Sequence, residues 1–308
     1  AFRKGVTFLK GIITNIKRMA VHDGKGLRST VFFKGCPLRC RWCSNPESQL
    51  PQPQFLHYHS LCRQCGACVE TCPQRALSCT QEGNFVRNDS CDRCEKCVEV
   101  CRWNANALSG RSVSAEEVCE ELHLYWRVFV YHGGGITCSG GEPLAQPQFL
   151  KAILSIMHDS YGIDTCIETS GFAPWEVLGS VLPHLDRLYF DIKHMDDARH
   201  REGTGVSNAV ILENAAKLAT CGKSIVIRTP LIPGFNDTEE NMEALGVFMA
   251  SHGLPEIELM PQHVYGKSKY AALGRLYDVD ESAQPQTERA VGILRRFVDK
   301  VSVHEQNS

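Results

Sequence analysis

The chain has 308 residues, 43% of them hydrophobic, and a formal net charge of −2. This length suits one sizeable domain with a smaller one attached, and the near-neutral charge gives no support for a broad nucleic-acid-binding or membrane surface. No apolar run approaches the roughly 20 residues that a membrane span needs, and the first twenty residues lack the apolar core of a signal peptide. We therefore expect a cytoplasmic protein.

Sixteen cysteines are an unusually large number, and eleven of them fall into three tight clusters. A disulfide scaffold would be a short secreted chain, which this is not. Clusters of this kind indicate metal ligation in a reducing compartment. The other five cysteines are interpreted as small buried hydrophobic residues: Cys79, Cys119, Cys138, Cys166 and Cys221.

The chain begins with an extension, a strand and a glycine-rich turn. Residues 1–10 are assigned to the extension, and residues 11–17 predict a leading strand. In the segment VHDGKGLRS, Gly24 and Gly26 bracket a turn. Asp23 is suited to capping this turn by accepting hydrogen bonds from nearby backbone N–H groups.

A buried strand at residues 30–33 runs directly into three cysteines spaced C-x3-C-x2-C, which are Cys36, Cys40 and Cys43. Three thiolates cannot close a tetrahedral zinc site, because that site needs four ligands. They can hold three irons of a [4Fe–4S] cube and leave the fourth iron open to a ligand that takes part in chemistry. The alternatives are a structural metal loop or a set of redox-sensing thiols.

Two later runs share the spacing C-x2-C-x2-C-x3-C, followed by Pro73 in the first run and by Arg102 in the second. This is the spacing of two-cluster bacterial ferredoxins, in which the fourth cysteine of each run binds the other cluster. The spacing therefore predicts an inserted ferredoxin-like module at residues 56–108, with zinc as the alternative metal. The two predicted ligand sets are Cys62, Cys65, Cys68 and Cys101, and Cys91, Cys94, Cys97 and Cys72.

From residue 112 onwards, helical patterns alternate with short apolar runs. The predicted helices are 112–129 (with Ser114 as N-cap), 146–157, 175–182, 208–220, 238–251 and 286–300. The predicted strands are 136–139, 164–169, 187–193, 224–232 and 256–260. With the strand at 30–33, this alternation indicates an α/β fold with six parallel strands, arranged as an open or partial (β/α)6 barrel.

Chemistry in such barrels gathers at the carboxyl ends of the strands, and polar motifs follow several of these strands here. Gly140 and Gly141 allow close backbone approach to a ligand, backed by Glu142, although Gly-Gly-Glu is also a common turn. Glu168 is a candidate acceptor for ligand hydroxyl or amino groups, and an internal salt bridge is its alternative role.

The later strand ends add further candidates. Lys193 is suited to binding a carboxylate, and Asp191 with Thr169 is suited to lining a small cation site, although Asp191 and Lys193 are also an ordinary ion pair. Arg228 faces either the cavity or a helix, depending on its parity along the strand. His263 is a candidate ligand-binding group or a satisfied core histidine.

Several segments together resemble the glycyl-radical-enzyme activating enzymes of the radical S-adenosylmethionine (SAM) superfamily, which are relatives of pyruvate formate-lyase activating enzyme. These segments are VHDGKGLRSTVFFKGCPLRCRWCSNPES, GGGITCSGGEPL, IETSGF, YFDIKHMD, RTPLIPGFND and LMPQH. The resemblance runs from about residue 11 to the C-terminus and is to the larger members, which carry a ferredoxin-like insert. It implies a barrel at residues 11–55 and 109–308 around the insert.

The resemblance also implies a reaction and its partners. SAM is cleaved reductively to methionine and a 5′-deoxyadenosyl radical, which takes a hydrogen atom from a glycine Cα of a partner glycyl radical enzyme. Three [4Fe–4S] clusters, an external donor such as flavodoxin or ferredoxin, and an anaerobic cytoplasm are expected. The rival hypotheses are a radical SAM enzyme acting on a small molecule or short peptide, and an electron-transfer iron–sulfur protein.

The same resemblance gives roles to individual residues. Cys36, Cys40 and Cys43 hold the cluster that binds SAM, and Trp42 packs near the adenine. Asp23 contacts the glycine loop of the partner, with Lys25 standing where the family has proline. Gly140, Gly141 and Glu142 take the SAM amino group. The other positions that match the family's SAM pocket are Glu168, Asp191, Lys193, Arg228 and His263. Thr169 and Asp191 remain the candidates for a monovalent cation beside the SAM carboxylate.

Overall fold

The computed structural model describes residues 9–21, 24–80 and 85–304. In this part of the chain the strands are β1 (Lys10–Ala20), β2 (Arg28–Phe33), β3 (Gln54–His57), β4 (Leu77–Cys79), β5 (Phe85–Arg87), β6 (Asn106–Ser109), β7 (Arg111–Ser114), β8 (Gly135–Gly140), β9 (Asp164–Thr169), β10 (Arg187–Asp191), β11 (Ser224–Leu231), β12 (Glu256–Pro261) and β13 (Lys300–Val303).

Eleven α-helices accompany these strands in the described residues. They are α1 (Ala67–Thr71), α2 (Lys96–Glu99), α3 (Ala115–His123), α4 (Trp126–Tyr131), α5 (Pro147–Ser155), α6 (Trp175–Val181), α7 (Asp197–Thr204), α8 (Ala209–Leu218), α9 (Glu239–His252), α10 (Lys267–Ala272) and α11 (Thr287–Leu294). No helix among the described residues has the length and apolar character needed to cross a membrane.

Nine strands form one sheet in the order β13-β12-β11-β10-β9-β8-β2-β1-β7. The strands from β2 to β13 in this order are parallel, whereas β1 and β7 pair antiparallel at the other edge. The leading strand and the six parallel strands predicted from sequence are therefore confirmed. The protein is a mixed α/β protein built on a largely parallel sheet.

Two strands of this sheet were not predicted: β7 overlaps the start of the helix predicted at 112–129, and β13 begins at the residue where the helix predicted at 286–300 was to end. The helix at 112–129 was wrong at its start, because β7 pairs with β1 there and Ser114 is extended. Ser114 does cap α3 through a capping box with Glu117, but the helix breaks before α4. The last helix was also too long, since α11 ends at Leu294 and β13 then pairs with β12.

The two faces of the sheet have different chemistry. The helices cover the outer face and form one continuous apolar core with alternate strand residues such as Ile167, Phe190 and Ile227. On the inner face, Cys166, Tyr189 and Val226 form a small separate apolar cluster, and the other buried side chains are largely polar. A buried polar face must satisfy its own hydrogen bonds, so it is the face on which to look for a site.

The cysteine-rich segment leaves and rejoins the rest of the chain at one place. Its first strand β3 pairs antiparallel with its last strand β6, so that Gln54 lies opposite Ser109. Between them, β4 and β5 form a second two-stranded ladder, and one short helix follows the first two cysteines of each run and contains the third.

The two cysteine runs adopt the same backbone path. Three residues of the first run have positive φ, and so do three at matched positions of the second run, with the same offset as between Cys62 and Cys91. The matched pairs are Gln64 and Arg93, Gly66 and Glu95, and Arg75 and Asn104. The repeated spacing in the sequence is therefore a repeated local structure.

Candidate functional site

The triplet of cysteines follows β2 at the carboxyl edge of the parallel strands. Backbone bonds from Gly35 to Ser48 (2.6 Å) and from Cys36 to Gln49 (3.0 Å) fold the segment after the triplet back over it. The loop is also attached to the end of α7, because the Arg39 N–H donates to Thr204 O at 2.7 Å. The cysteine loop is thus held by main-chain contacts on both sides.

Lys34, directly before this loop, joins it to the insert. Its buried ammonium donates to the Glu47 carbonyl and to Gln54 Oε1 at 3.2 Å, and burial lowers the pKa of Lys34 to about 8. Sequence reasoning passed over Lys34. A lysine directly after a buried strand was the available signal.

A cavity of about 270 Å³ opens at this edge of the sheet. All thirteen candidate residues for the cluster and SAM line it: Cys36, Cys40, Trp42, Cys43, Gly140, Gly141, Glu142, Glu168, Thr169, Asp191, Lys193, Arg228 and His263. Ser139, Ser170, Pro230 and Met260 also line the cavity and were not predicted. Asp23 lies outside the described residues.

The Gly-Gly turn brings the end of β8 against the start of the cysteine loop. Gly140 has φ of +106°, and a Cβ there would stand 2.6 Å from the Phe33 backbone nitrogen. A Cβ on Gly141 would stand 2.4 Å from the Gly35 carbonyl oxygen. No side chain can be inserted at either position without moving backbone, so these glycines are required by the close approach of the two segments.

Glu142 is buried and its carboxylate is fully engaged. One oxygen accepts from Thr169 Oγ1 at 2.6 Å and the Leu144 N–H at 3.1 Å, and the other accepts from the Ser170 N–H at 2.8 Å and its hydroxyl at 2.5 Å. Burial raises the pKa of Glu142, while the bonds from Ser170 and Thr169 act in the opposite direction. In this structure Glu142 braces the end of β8 to the end of β9.

Asp191 and Lys193 form an ion pair of 2.7 Å beside the cysteines. Burial alone would lower the pKa of Lys193, but Asp191 and the neighbouring Cys40 oppose that effect, and the pKa stands above its ordinary value. The ammonium is therefore charged, and it lies close enough to Cys40 to affect the pKa of that thiol.

A polar ladder crosses the inner face of the sheet through Arg228. Its guanidinium donates to Glu168 on β9 and to Glu258 on β12, both at 2.5 Å, and lies 3.6 Å from the centre of the Tyr189 ring. The ladder continues on one side to Ser139 through Glu168 and on the other to His304 through Glu258 (3.0 Å). Arg228 thus faces the cavity, and its two carboxylates hold it in one orientation.

Trp42 and His263 close the cavity on the side of the cysteine loop. The Trp42 ring lies 4.8 Å from the Phe235 ring, and His263 Nε2 lies 3.4 Å from Ser44 Oγ. Burial lowers the pKa of His263, so its imidazole is neutral near neutral pH.

The described part of the turn predicted after Asp23, residues 24–26, lies at the opposite end of the strands. A Cβ on Gly26 would stand 2.5 Å from the Gly133 carbonyl oxygen, and β8 begins two residues after Gly133. Lys25 is exposed there, while a Cβ on Gly24 would come within 3.6 Å of the Tyr189 ring. This turn therefore reaches the inner face of the sheet from the amino ends of the strands.

Two further cavities lie in the insert, and each is lined by four of its eight clustered cysteines. One cavity has Cys62, Cys65, Cys68 and Cys101, and the other has Cys72, Cys91, Cys94 and Cys97. These are the two sets that the spacing predicts, with the fourth cysteine of each run crossing to the other cavity.

The five scattered cysteines do not all behave alike. Cys119, Cys138 and Cys166 are buried as expected, and Cys221 is half-buried. The prediction of a buried hydrophobic residue was wrong for Cys79, which is exposed. It lines the first insert cavity beside Cys62, Cys65, Cys68 and Cys101. It is the last residue of β4.

Comparisons with known proteins decide the family. Residues 30–245 match the model of the Radical SAM superfamily. The (2S)-3-sulfopropanediol dehydratase activating enzyme of Klebsiella oxytoca is 41% identical over 304 residues, covering 96% of either chain. The chain belongs to the radical SAM superfamily, among the glycyl-radical-enzyme activating enzymes.

Other matches agree with this assignment. The choline trimethylamine-lyase activating enzyme of Oleidesulfovibrio alaskensis is 37% identical over 304 residues, covering 96% of this chain and 98% of that one. A solved structure of TYW1 with a lysine-pyruvate adduct bound aligns with a TM-score of 0.51 at 14% identity, over 91% of this chain and 75% of the other. That likeness concerns the fold alone.

The donor set and the cavity fit the cluster and the SAM that the superfamily implies. Burial raises the pKa of all three thiols of the triplet, for Cys40 to about 12, and ligation to iron would hold them as thiolates. Three thiols line the cavity together with a lysine, an arginine and a glycine turn. This arrangement suits a cluster with one open iron facing a zwitterionic ligand.

The ladder and the contacts of Glu142 include residues that were not predicted from the sequence. Glu258 and Tyr189 lie on predicted strands, and Ser170 directly follows one. An acidic residue between Ile257 and Leu259, both fully buried on the other face, was a signal that Glu258 faces a polar interior. Its partner Arg228 could not be named without the register of β11 and β12.

Proposed function

We propose that this chain activates a partner glycyl radical enzyme by hydrogen abstraction from one glycine. The observation that carries the proposal is the cavity in which the three triplet cysteines face a glycine turn, a buried lysine and a buried arginine. Family membership gives the same class of activity. The relatives have different partners, and identities of 41% and 37% do not select among these partners.

When bound, the cluster supplies one electron that splits SAM into methionine and a 5′-deoxyadenosyl radical, and this radical takes a hydrogen atom from a glycine Cα of the partner. The chain's own residues bind SAM, orient it and enclose it. We assign Lys193 to the SAM carboxylate, with Asp191 holding the ammonium in place at 2.7 Å. Arg228 and Glu168 present a fixed pair of hydrogen-bonding groups to the rest of the ligand.

The remaining side chains have supporting roles in this proposal. The backbone of Gly140 and Gly141 accepts from the SAM amino group, and Glu142 keeps this turn in position through Thr169 and Ser170. Trp42 packs near the adenine, and neutral His263 offers a hydrogen bond from the same side of the cavity. Thr169 and Asp191 are the candidates for a monovalent cation beside the SAM carboxylate.

We infer that the insert, residues 56–108, is a ferredoxin-like module with two [4Fe–4S] clusters, set into an open partial barrel of residues 11–55 and 109–308. The pairing of β3 with β6, the repeated backbone and the crossed cysteine sets support this inference. The module would pass electrons from an external donor such as flavodoxin or ferredoxin to the SAM cluster. An anaerobic cytoplasm is the proposed setting.

The partner's glycine loop is proposed to meet the turn that carries Asp23. Support comes from its neighbour Gly24, which lies against Tyr189 under the Arg228 ladder. Lys25 stands exposed beside it, so the charge of this residue is available to a partner.

The test uses reconstituted, dithionite-reduced protein with SAM and a glycine-loop peptide whose glycine Cα is deuterated. We expect deuterium in the 5′-deoxyadenosine, measured by mass spectrometry, and none with the Cys40→Ala variant. Full-length sulfopropanediol dehydratase and choline trimethylamine-lyase should be tested beside the peptide, with the glycyl radical followed by EPR. Absence of 5′-deoxyadenosine from protein with intact clusters would refute the enzymatic proposal.

A further inference from the structure

The β3–β6 ladder joins the insert to the rest of the chain, and its base adjoins the cysteine triplet. Gln54 and Ser109 form this base as opposite residues. The Lys34 ammonium donates to Gln54 Oε1 at 3.2 Å, and Ser109 Oγ donates to the Glu47 carbonyl at 3.5 Å. Since Lys34 lies two residues before Cys36, the base is the part of the ladder that is next to the triplet.

The two insert cavities lie at different distances from this base. Phe55 and Leu108, directly after the base pair, line the second insert cavity, which is the one with Cys72, Cys91, Cys94 and Cys97. His57 and Asn106, two residues further along the ladder, line the first insert cavity. Residues two apart on a strand face the same side and lie about 7 Å apart. The second cavity is therefore nearer to the base, and the first lies further out.

The mouth of the first insert cavity is basic and aromatic. Arg63 lines this cavity, and its guanidinium lies 5.7 Å from the centre of the Trp103 ring, which is 50% exposed. Arg102 is exposed between the lining residues Cys101 and Trp103. Among the described residues, no carboxylate lines this cavity, and neither arginine forms an ion pair. Arg63, Arg102 and Trp103 thus form a basic patch that is open to solvent.

The second insert cavity has no such patch, although the two cysteine runs share one backbone path. The positions of the first and second runs that match Arg63, Arg102 and Trp103 hold Asp92, Pro73 and Gln74. Charges balance in the lining of the second cavity, which includes Asp92, Arg93, Glu95 and Lys96. Arginine and tryptophan are enriched where proteins bind one another, and a basic surface attracts an acidic partner.

We propose that the electron donor is an acidic one-electron carrier protein that docks on the basic patch, so that electrons enter the insert at the first cavity and leave it through the second. This inference rests on the proposed function, because it requires clusters in the insert and at the triplet. The carrier is oxidised by one electron, which the insert passes towards the triplet, and no bond forms or breaks.

The first experiment measures binding of the carrier to the full-length, reconstituted protein by calorimetry, with a flavodoxin and a ferredoxin as probes. We expect Arg63→Glu/Arg102→Glu to weaken binding about tenfold or more, and Trp103→Ala to weaken it about fivefold. Salt should weaken wild-type binding, and the double variant should lose most of this dependence. Arg63→Lys/Arg102→Lys should retain most of the affinity, because both charges are kept.

The matched control is Arg93→Glu/Lys96→Glu, which makes the same change of charge at the mouth of the second insert cavity. Both residues are exposed there. We expect this variant to bind the carrier within about twofold of wild type. Weaker binding by this variant than by Arg63→Glu/Arg102→Glu would overturn the assignment of the docking site.

The order of the two cavities is tested by removing matched thiols. Cys65 and Cys94 are the exposed second cysteines of the two runs. After rapid mixing with reduced carrier and freezing, EPR should show a reduced insert cluster in Cys94→Ala and none in Cys65→Ala. The reverse pattern would overturn the direction of transfer.

If either thiol variant loses its remaining clusters, the rate of cluster bleaching by reduced carrier decides. This rate, divided by the rate with dithionite, should fall about tenfold in Arg63→Glu/Arg102→Glu and stay near the wild-type value in Arg93→Glu/Lys96→Glu. The opposite result would refute entry at the first cavity.

The outcomes separate this inference from the proposed function. Equal carrier binding by all the variants, or no binding of either probe to wild type, would overturn the docking site. SAM cleavage with dithionite would then still support the proposed function. Conversely, a wild-type protein with intact clusters that does not cleave SAM would refute the proposed function, while weaker carrier binding by Arg63→Glu/Arg102→Glu would still support the docking site.

Discussion

The cysteine cavity of the main sheet and the two cysteine cavities of the insert use the same ligand atom in opposite surroundings. The main cavity has three thiols, and its other walls carry charged and polar groups such as Lys193, Arg228 and Glu168. Each insert cavity has four clustered thiols and largely apolar walls, with Leu77 and Val98 in one and Phe85 in the other.

The number of thiols and the chemistry of the walls together determine what each cavity can bind. A set of four thiols would leave no iron of a cube open, and largely apolar walls give a ligand few groups to bind, which agrees with the electron transfer proposed for the insert. A set of three leaves one iron open, and the polar walls then select what binds there. The insert is also nearer to solvent, with Cys65 and Cys94 exposed.

The largest effects should come from removing one thiol in each region. Cys36→Ala should abolish SAM cleavage with any reductant, because the open iron needs all three ligands of the triplet. Cys72→Ala and Cys101→Ala should retain SAM cleavage with dithionite but slow it at least tenfold with a protein donor. The measurement is the rate of 5′-deoxyadenosine formation with each reductant.

If Cys72→Ala formed 5′-deoxyadenosine at the wild-type rate with the protein donor, the insert would not carry the electrons, and the proposed difference between the two regions would be wrong. Cys119→Ser is the control for the loss of a thiol, because Cys119 is buried in the apolar core away from all three cavities.

The next largest effect is expected from Glu142, which joins the ends of β8 and β9 at the polar wall of the main cavity. Each carboxylate oxygen accepts from a backbone N–H that cannot turn away, Leu144 on one side and Ser170 on the other. In Glu142→Gln, the amide NH2 group must face one of these donors whichever way it is rotated. We expect a loss of roughly 2–3 kcal/mol in the free energy of unfolding, measured by urea denaturation of the cluster-free chain.

Glu176→Gln is the matched control on α6, where the glutamate is exposed, and it should change stability by less than about 0.5 kcal/mol. Equal stability of the two variants would contradict the bracing role of Glu142.

A smaller effect is expected from Glu258, the partner of Arg228 on β12. Glu258→Gln removes one of the two charges that orient Arg228 while leaving Glu168 in place. We expect SAM to bind about tenfold more weakly, about 1.4 kcal/mol, with little change in the rate at saturating SAM. Binding is measured by calorimetry on the reconstituted protein.

Glu256→Gln on the same strand is the control, because Glu256 pairs with Lys300 at 3.8 Å and lies away from Arg228. If both variants bind SAM with the same affinity, the ladder does not position Arg228 for the ligand.

The same residues show how much of the fold and of the site could be predicted from the sequence. Apolar runs predicted the six inner parallel strands, because each strand is continuous, buried and followed by a turn. Since the carboxyl ends of parallel strands share one edge, the polar groups that follow them could be assigned to one site from the sequence. Their common cavity follows from topology alone.

What the sequence could not supply were contacts between distant segments. The partners of Arg228 lie 60 residues before it and 30 residues after it, so they depend on strand register. The edge strands β7 and β13 are short and take their form from pairing with β1 and β12. The hydrogen bond from Arg275 to Gln49 joins residues that are 226 positions apart, and no local sequence pattern indicates it.

The smallest expected effect tests whether four thiols, and not five, define an insert cavity. Cys79 lines the cavity of Cys62, Cys65, Cys68 and Cys101, and it is close enough to Cys68 to contribute to the raised pKa of that thiol, which is due chiefly to burial. The ferredoxin pattern fills a cube with the four spaced cysteines and leaves Cys79 unligated. Cys79→Ser should therefore leave the iron content and the EPR spectrum unchanged.

Cys68→Ser is the comparison for Cys79→Ser, and it should lower the iron content and remove one cluster signal. If Cys79→Ser lost iron to the same extent, Cys79 would be a ligand, and one of the four spaced cysteines would be free. Because Cys79 is exposed at the end of β4, alkylation of the intact protein gives an independent result. A free Cys79 should react while all the clusters remain in place.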